Sequence, residues 1–318
     1  MMKRIQLAII VPLSFLMLSA SSAIFADESR QLVAQWFEKM SAALREQNYS
    51  GLFTYEIGGG LDTYEVAHFV EEGIEHERLH KLNGAPREVL RKGQRTRCLS
   101  RGDQMLRRLS INFENQLPPH YFFSISENHR VAGREAIHIE VKSQDASRYS
   151  YIFALDKESA LPVQMLVITP ESKVIERIQF AKLDLSTQAA KELVNAEYRD
   201  HHTARDDRGK CDSELHLQPA GWQATWLPSG FEYGGYRISS RGDRMLAFTD
   251  GFASISVFIV HDGERVPIKK GRAQLGATNA AVSQRVWDNQ LYSISVVGEV
   301  PYATAQQVAE RIEKSVAQ

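Results

Sequence analysis

The sequence predicts an α+β protein with a large antiparallel half-barrel covered by a helix, followed by a smaller α+β domain. Three observations carry this reading. A single apolar helical stripe stands near the N-terminus. Between residues 121 and 183, runs rich in β-branched and aromatic residues are separated by short polar connectors. A second patterned block follows a long polar stretch. Connectors such as Ser143-Gln144-Asp145 and Asp156-Lys157-Glu158 cannot hold crossover helices, so successive strands pair antiparallel. A meander of that length with little helix to cover it is expected to curl and leave a concave apolar face.

The elements follow in order. Lys3 and Arg4 precede an apolar stretch from Ile5 to Met17 and a Ser/Ala-rich segment ending at Ala26, the pattern of a secretory signal peptide over residues 1–26. Cleavage is expected after Ala26, with Ala23 as the alternative, and the product is expected to be a soluble exported protein. Leu32, Trp36, Phe37, Met40 and Leu44 share one face of a helix over about residues 29–47. The period then shortens. Residues 49–57 and 63–70 flank Gly58-Gly59-Gly60 as a hairpin, and further strands are expected at 136–141, 149–155, 162–168 and 174–180. The large domain thus spans residues 27–185. Residues 186–219 turn polar and charged and read mostly as a linker. The small domain, 220–318, carries strands at 232–238, 244–249, 253–261, 277–287 and 292–297, then a helix opened by Pro301 with Ala305, Val308 and Ile312 on its apolar side.

Composition narrows the function. The 318 residues are 43% hydrophobic and 24% charged, which excludes a disordered chain, and 38 Lys+Arg against 39 Asp+Glu remove the basic field of a nucleic-acid binder. His76-Glu77-Arg78-Leu79-His80 matches the H-E-x-x-H of zinc peptidases, whose two histidines share a metal only across one helical turn. The segment has no helical stripe and lies between Gly73 and Asn83-Gly84. On a strand its histidines stand about 13 Å apart, so no metal or cofactor is expected. Phe53, Tyr55, Phe69, Phe122, Phe153 and Met165 lie in the strands of the curled sheet and are expected to include lining residues of an amphiphile cavity. The strand parity that selects among them is not fixed by the sequence. Tyr233, Tyr236 and Arg237 combine the residue types that suit a protein-partner surface. Cys98 and Cys211, the only cysteines, either pair or remain thiols in an oxidising compartment, and a disulfide tying the linker to the large domain is expected.

Several stretches resemble the RseB/MucB family of periplasmic regulators of the envelope-stress sigma factor. They are Gly84-Ala85-Pro86-Arg87-Glu88-Val89, Arg148-Tyr149-Ser150-Tyr151 with Asp156 and Leu161-Pro162, and Trp226-Leu227-Pro228-Ser229-Gly230-Phe231. Thr249-Asp250-Gly251 leading into Ser256-Val257-Phe258 and Val297-Gly298-Glu299-Val300-Pro301 complete the set. Their order and spacing cover nearly all of the chain after residue 26, and the two cysteines look like the MucB branch. The resemblance implies a large domain similar to the lipoprotein carriers LolA and LolB and a regulator without catalysis. Such a regulator binds the periplasmic domain of a membrane-spanning anti-sigma factor, shields it from site-1 proteolysis, and is released by lipopolysaccharide or a related amphiphile. A lipid or lipoprotein carrier using the same cavity is the alternative, and the oligomeric state, including a homo-oligomer, is left open.

Overall fold

The computed structural model describes residues 17–85, 87–93, 117–196, 203–204, 216, 221–263 and 271–315. Helix α1 (Met17–Glu46) starts well before the expected position, because no Gly or Pro interrupts the sequence after Pro12. Its buried face is Val33, Phe37, Met40 and Ala43, one residue round from the expected stripe, so that Leu32 is exposed.

Among the described residues the large sheet has ten strands in the order β10-β4-β3-β2-β1-β9-β8-β7-β6-β5. The first run is β1 (Tyr49–Ile57), β2 (Gly60–Glu71), β3 (Ile74–Lys81) and β4 (Arg87–Lys92). The second is β5 (Tyr121–Val131), β6 (Arg134–Ser143), β7 (Ser150–Asp156), β8 (Pro162–Ile168) and β9 (Val174–Asp184), and β10 (Thr203–Ala204) adds to β4 in parallel. Gly58 and Gly59, both at positive φ, close the β1–β2 hairpin as a two-residue turn, which few other residues allow. Antiparallel pairing of β1 with β9 joins the two meanders into one open half-barrel. The face that receives α1 carries Phe53, Val66, Leu79, Ile139, Phe153, Met165 and Ile178 in one core.

The stretch after Leu185, expected to be irregular, forms helix α2 (Thr187–Asn195), capped by the Ser186 hydroxyl accepting from the Ala189 amide. This helix packs against the opposite sheet face, where Arg78 Nη1 donates to the Leu193 carbonyl at 2.7 Å and Lys191 Nζ pairs with Glu71 at 2.7 Å.

The second domain has a six-stranded sheet, order β12-β13-β14-β17-β16-β15. Its members are β12 (Glu232–Ile238), β13 (Arg244–Thr249), β14 (Ser254–His261), β15 (Gly271–Leu275), β16 (Thr278–Trp287) and β17 (Gln290–Gly298). Helix α3 (Tyr302–Ala309) covers one face through Ala305, Val308 and Ala309, and a two-stranded piece pairs β11 (Trp222–Ala224) with β18 (Ile312–Lys314).

Candidate functional site

The concave face of the half-barrel meets the small domain, and their contact is built around one buried carboxylate. Asp250 directly follows β13 and opens the turn to β14. Its Oδ1 accepts from the backbone amides of Phe252 (3.0 Å) and Ala253 (2.8 Å), which fixes the turn as a side-chain-capped loop. Its Oδ2 faces the large domain, accepting from the Tyr121 hydroxyl at 2.9 Å and from Arg148 Nη1 at 2.8 Å. The Arg148 side chain is fully buried between the rings of Tyr121 and Phe231. It also pairs with Asp145 at 3.1 Å and donates to the Ser229 carbonyl. A guanidinium out of water is tolerated only when its donors are met, and here they are met from both domains. Burial, with Tyr151 and Asp250 nearby, holds the Tyr121 phenol well above its ordinary pKa, so it stays a donor to Asp250 at neutral pH.

The same turn drives an aromatic side chain into the concavity. Phe252 comes from the small domain, yet its ring lies 4.9 Å from Tyr121, 5.4 Å from Tyr151, 6.0 Å from Phe37 and 6.1 Å from Phe123. Beside it remains a cavity of about 30 Å³, lined by Tyr151, Phe153, Met165 and Val167 from the sheet and Phe252, Ala277 and Glu299 from the small domain. That volume holds about one water.

Further polar bonds fasten the interface. Glu176 Oε1 accepts from the Ala277 amide at 2.7 Å, and Glu176 Oε2 accepts from the Tyr55 hydroxyl at 3.1 Å. Asn279 Nδ2 donates to the Tyr149 hydroxyl and to the Val300 carbonyl, both at 2.9 Å, and the Thr304 hydroxyl donates to the Ser147 carbonyl at 2.9 Å. Burial pushes the Tyr149 pKa up to about 12.

The sequence-chosen cavity residues separate by strand parity. Phe153 and Met165 line the cavity. Phe53 and Tyr55 lie on the same sheet face but outside its lining, Phe53 stacked on Tyr64 and tilted against Phe180. Two placements are corrected. Phe69 pairs with His76 and stacks on it at 4.4 Å under α2, on the face opposite the cavity. Phe122 is 63% exposed because Tyr121 and Phe123, its neighbours on β5, take the inward positions. Residues missed by composition are Arg148, Asp250 and Phe252. A signal was present, since the stretches beginning at Arg148, Trp226, Thr249 and Val297 all converge on this interface.

Other expectations fall elsewhere. His76, Glu77 and His80 lie on β3, a strand, and no cluster of three metal-ligating side chains occurs among the described residues. Tyr233 is 39% exposed on the edge strand β12, while Tyr236 packs on the small-domain core and bridges His216 from the stretch expected as linker. Arg237 lies on the same strand. Cys98 and Cys211 lie outside the described residues. Among the described residues no helix is long and apolar enough to cross a membrane.

An open half-barrel whose concave face is capped by a second sheet domain defines a two-domain, mostly antiparallel protein of the half-barrel class. Its kinship is specific. The N-terminal domain of the MucB/RseB family matches residues 32–198 and the C-terminal domain matches 216–313, so the chain belongs to the MucB/RseB family. It is 30% identical to the sigma factor AlgU regulatory protein MucB of Pseudomonas aeruginosa, over 95% of this chain and 97% of that protein. It is 24% identical to the sigma-E factor regulatory protein RseB of Escherichia coli K12, over 88% of this chain and 90% of that protein. The crystal structure of MucB in complex with the periplasmic part of MucA superposes with a TM-score of 0.69 at 31% identity, covering 89% of this chain and 99% of that one. MucB alone superposes with a TM-score of 0.60.

Proposed function

We propose that this protein is a non-catalytic periplasmic regulator that binds the periplasmic domain of a membrane-spanning anti-sigma factor of the MucA/RseA type and shields it from site-1 proteolysis. In this reading lipopolysaccharide or a related amphiphile releases it. The observation that carries the reading is the likeness, over nearly the whole length of both chains, to MucB solved with the periplasmic part of MucA. The signal-peptide pattern of residues 1–26 supports the compartment.

The interface gives the switch a physical form. A partner that contacts both domains favours the arrangement in which Arg148 meets Asp250. An amphiphile that favours another arrangement lowers partner affinity by the factor by which the partner lowers amphiphile affinity. Tyr233, Tyr236 and Arg237 are the proposed small-domain contribution to the partner surface. The test is calorimetric titration of the signal-less protein with the purified periplasmic domain of the anti-sigma factor from the same bacterium, followed by digestion of that domain by the site-1 protease. Saturable binding and slowed cleavage are expected. No binding at high micromolar concentration, or binding with unslowed cleavage, contradicts the regulatory or the shielding part respectively.

A further inference from the structure

We infer that the Phe252 ring is a resident plug in an acyl-chain site on the concave sheet, and that an acyl chain enters only when the turn carrying Phe252 withdraws. The inference rests on the amphiphile release proposed above and gives it a site and a gate.

Volume is the first ground. The cavity of about 30 Å³ admits no acyl chain, whereas pockets for small ligands span about 300 Å³ or more. The second ground is which domain each wall belongs to. Tyr151, Phe153, Met165 and Val167 sit on one face of adjacent strands, held by the pairs Tyr151–Val167 and Phe153–Met165, so these walls persist without the small domain. Of the small-domain residues that close the space, Phe252, Ala277 and Glu299, Phe252 supplies the ring, which the large domain does not own. Its four aromatic neighbours Phe37, Tyr121, Phe123 and Tyr151 form an apolar box that would accept methylenes equally well.

The third ground is mechanical. The two oxygens of Asp250 do separate jobs: Oδ1 shapes the turn that presents Phe252, and Oδ2 ties that turn to Tyr121 and Arg148. Withdrawal of the turn therefore breaks the Arg148–Asp250 pair, whereas Asp145 belongs to the large domain with Arg148 and is free to stay paired with it. Ligand affinity is reduced by the fraction of time the turn spends withdrawn, and a partner that holds the domains together reduces it further.

Fluorescence titration with dansyl-undecanoic acid, using the full signal-less chain, tests this directly. Phe252→Ala is expected to bind the probe about tenfold or more tightly than the wild type, because the opening cost is removed. Phe252→Leu keeps an apolar plug and is expected to stay near the wild type, and Asp250→Asn, which weakens the tie but leaves the ring, is expected to fall between. In the wild type, hydrogen exchange at the Ala253 amide is expected to speed up when the probe binds. Equal affinity of wild type and Phe252→Ala overturns the plug and leaves amphiphile binding intact. If Phe252→Ala shows no cooperative melt, equal affinity of Asp250→Asn and wild type overturns it instead. Unchanged protection of Ala253 with probe bound overturns the withdrawal. Absence of probe binding in every variant removes the amphiphile reading together with the plug.

Discussion

At the scale of single residues, Arg148 and His68 carry the sharpest consequences. Asp250→Ala leaves a fully buried guanidinium facing only Asp145 and the Ser229 carbonyl. It is expected to lower unfolding stability by about 3 kcal/mol, because the buried guanidinium loses the fully buried one of its two carboxylate partners. Urea unfolding measures it, and a loss within experimental error of zero would show that the pair bears no weight. His68 is buried against Tyr49, its rings 5.2 Å apart, with Nδ1 on the Gln47 carbonyl at 2.7 Å and no described partner for Nε2. Burial, the largest influence, lowers its pKa; Glu75 and the Gln47 carbonyl oppose the shift, and Arg91 and His76 add to it. A histidine whose folded pKa lies below its unfolded value contributes stability at higher pH, which is lost as the pH falls below about 6.5. Wild-type stability measured between neutral pH and pH 5 is therefore expected to fall more steeply than that of His68→Phe, and parallel curves would exclude the assignment.

At the scale of elements, the turn joining β15 to β16 is tightly constrained. Gly276 has φ +57, and a Cβ there would stand 2.7 Å from an Ile57 side-chain atom and closer still to Glu176 Oε1. Gly276→Ala is expected to cost about 1–3 kcal/mol from backbone strain, beyond any contact it displaces, and to loosen the Glu176–Ala277 bond between domains. Thermal unfolding and the exchange rate of the Ala277 amide read both effects. Elements were also where the sequence was most legible. Alternation and short polar connectors located β6 to β9 and the hairpin turn, because an antiparallel meander is a local pattern. The H-E-x-x-H segment was legible as no metal-binding helix from its flanking glycine and Asn-Gly and its lack of a helical stripe. Helix α2 was not, since its residues are mostly polar and the face that matters is a carbonyl accepting from Arg78, a contact 115 residues distant in sequence. Which of the six chosen cavity residues face inward was open for a different reason: one-residue register decides the face, as at Phe69 and Phe122, and composition carries no register.

At the scale of the whole molecule, the two domains share one interface in which polar bonds surround an aromatic insertion. Nothing in the hydrophobic pattern marks Phe252 as different from any turn-flanking aromatic, because its partners belong to another domain. Only the resemblance stretches, read together, point to the place. In the proposed function this contact couples the apolar site to a partner surface that spans both domains, and that coupling is the central claim. The measurement that tests it most directly is the affinity of the protein for the periplasmic domain of its anti-sigma factor across a lipopolysaccharide titration. Affinity is expected to fall progressively and level off as the lipid site saturates. Affinity that stays constant while lipopolysaccharide is demonstrably bound contradicts the coupling.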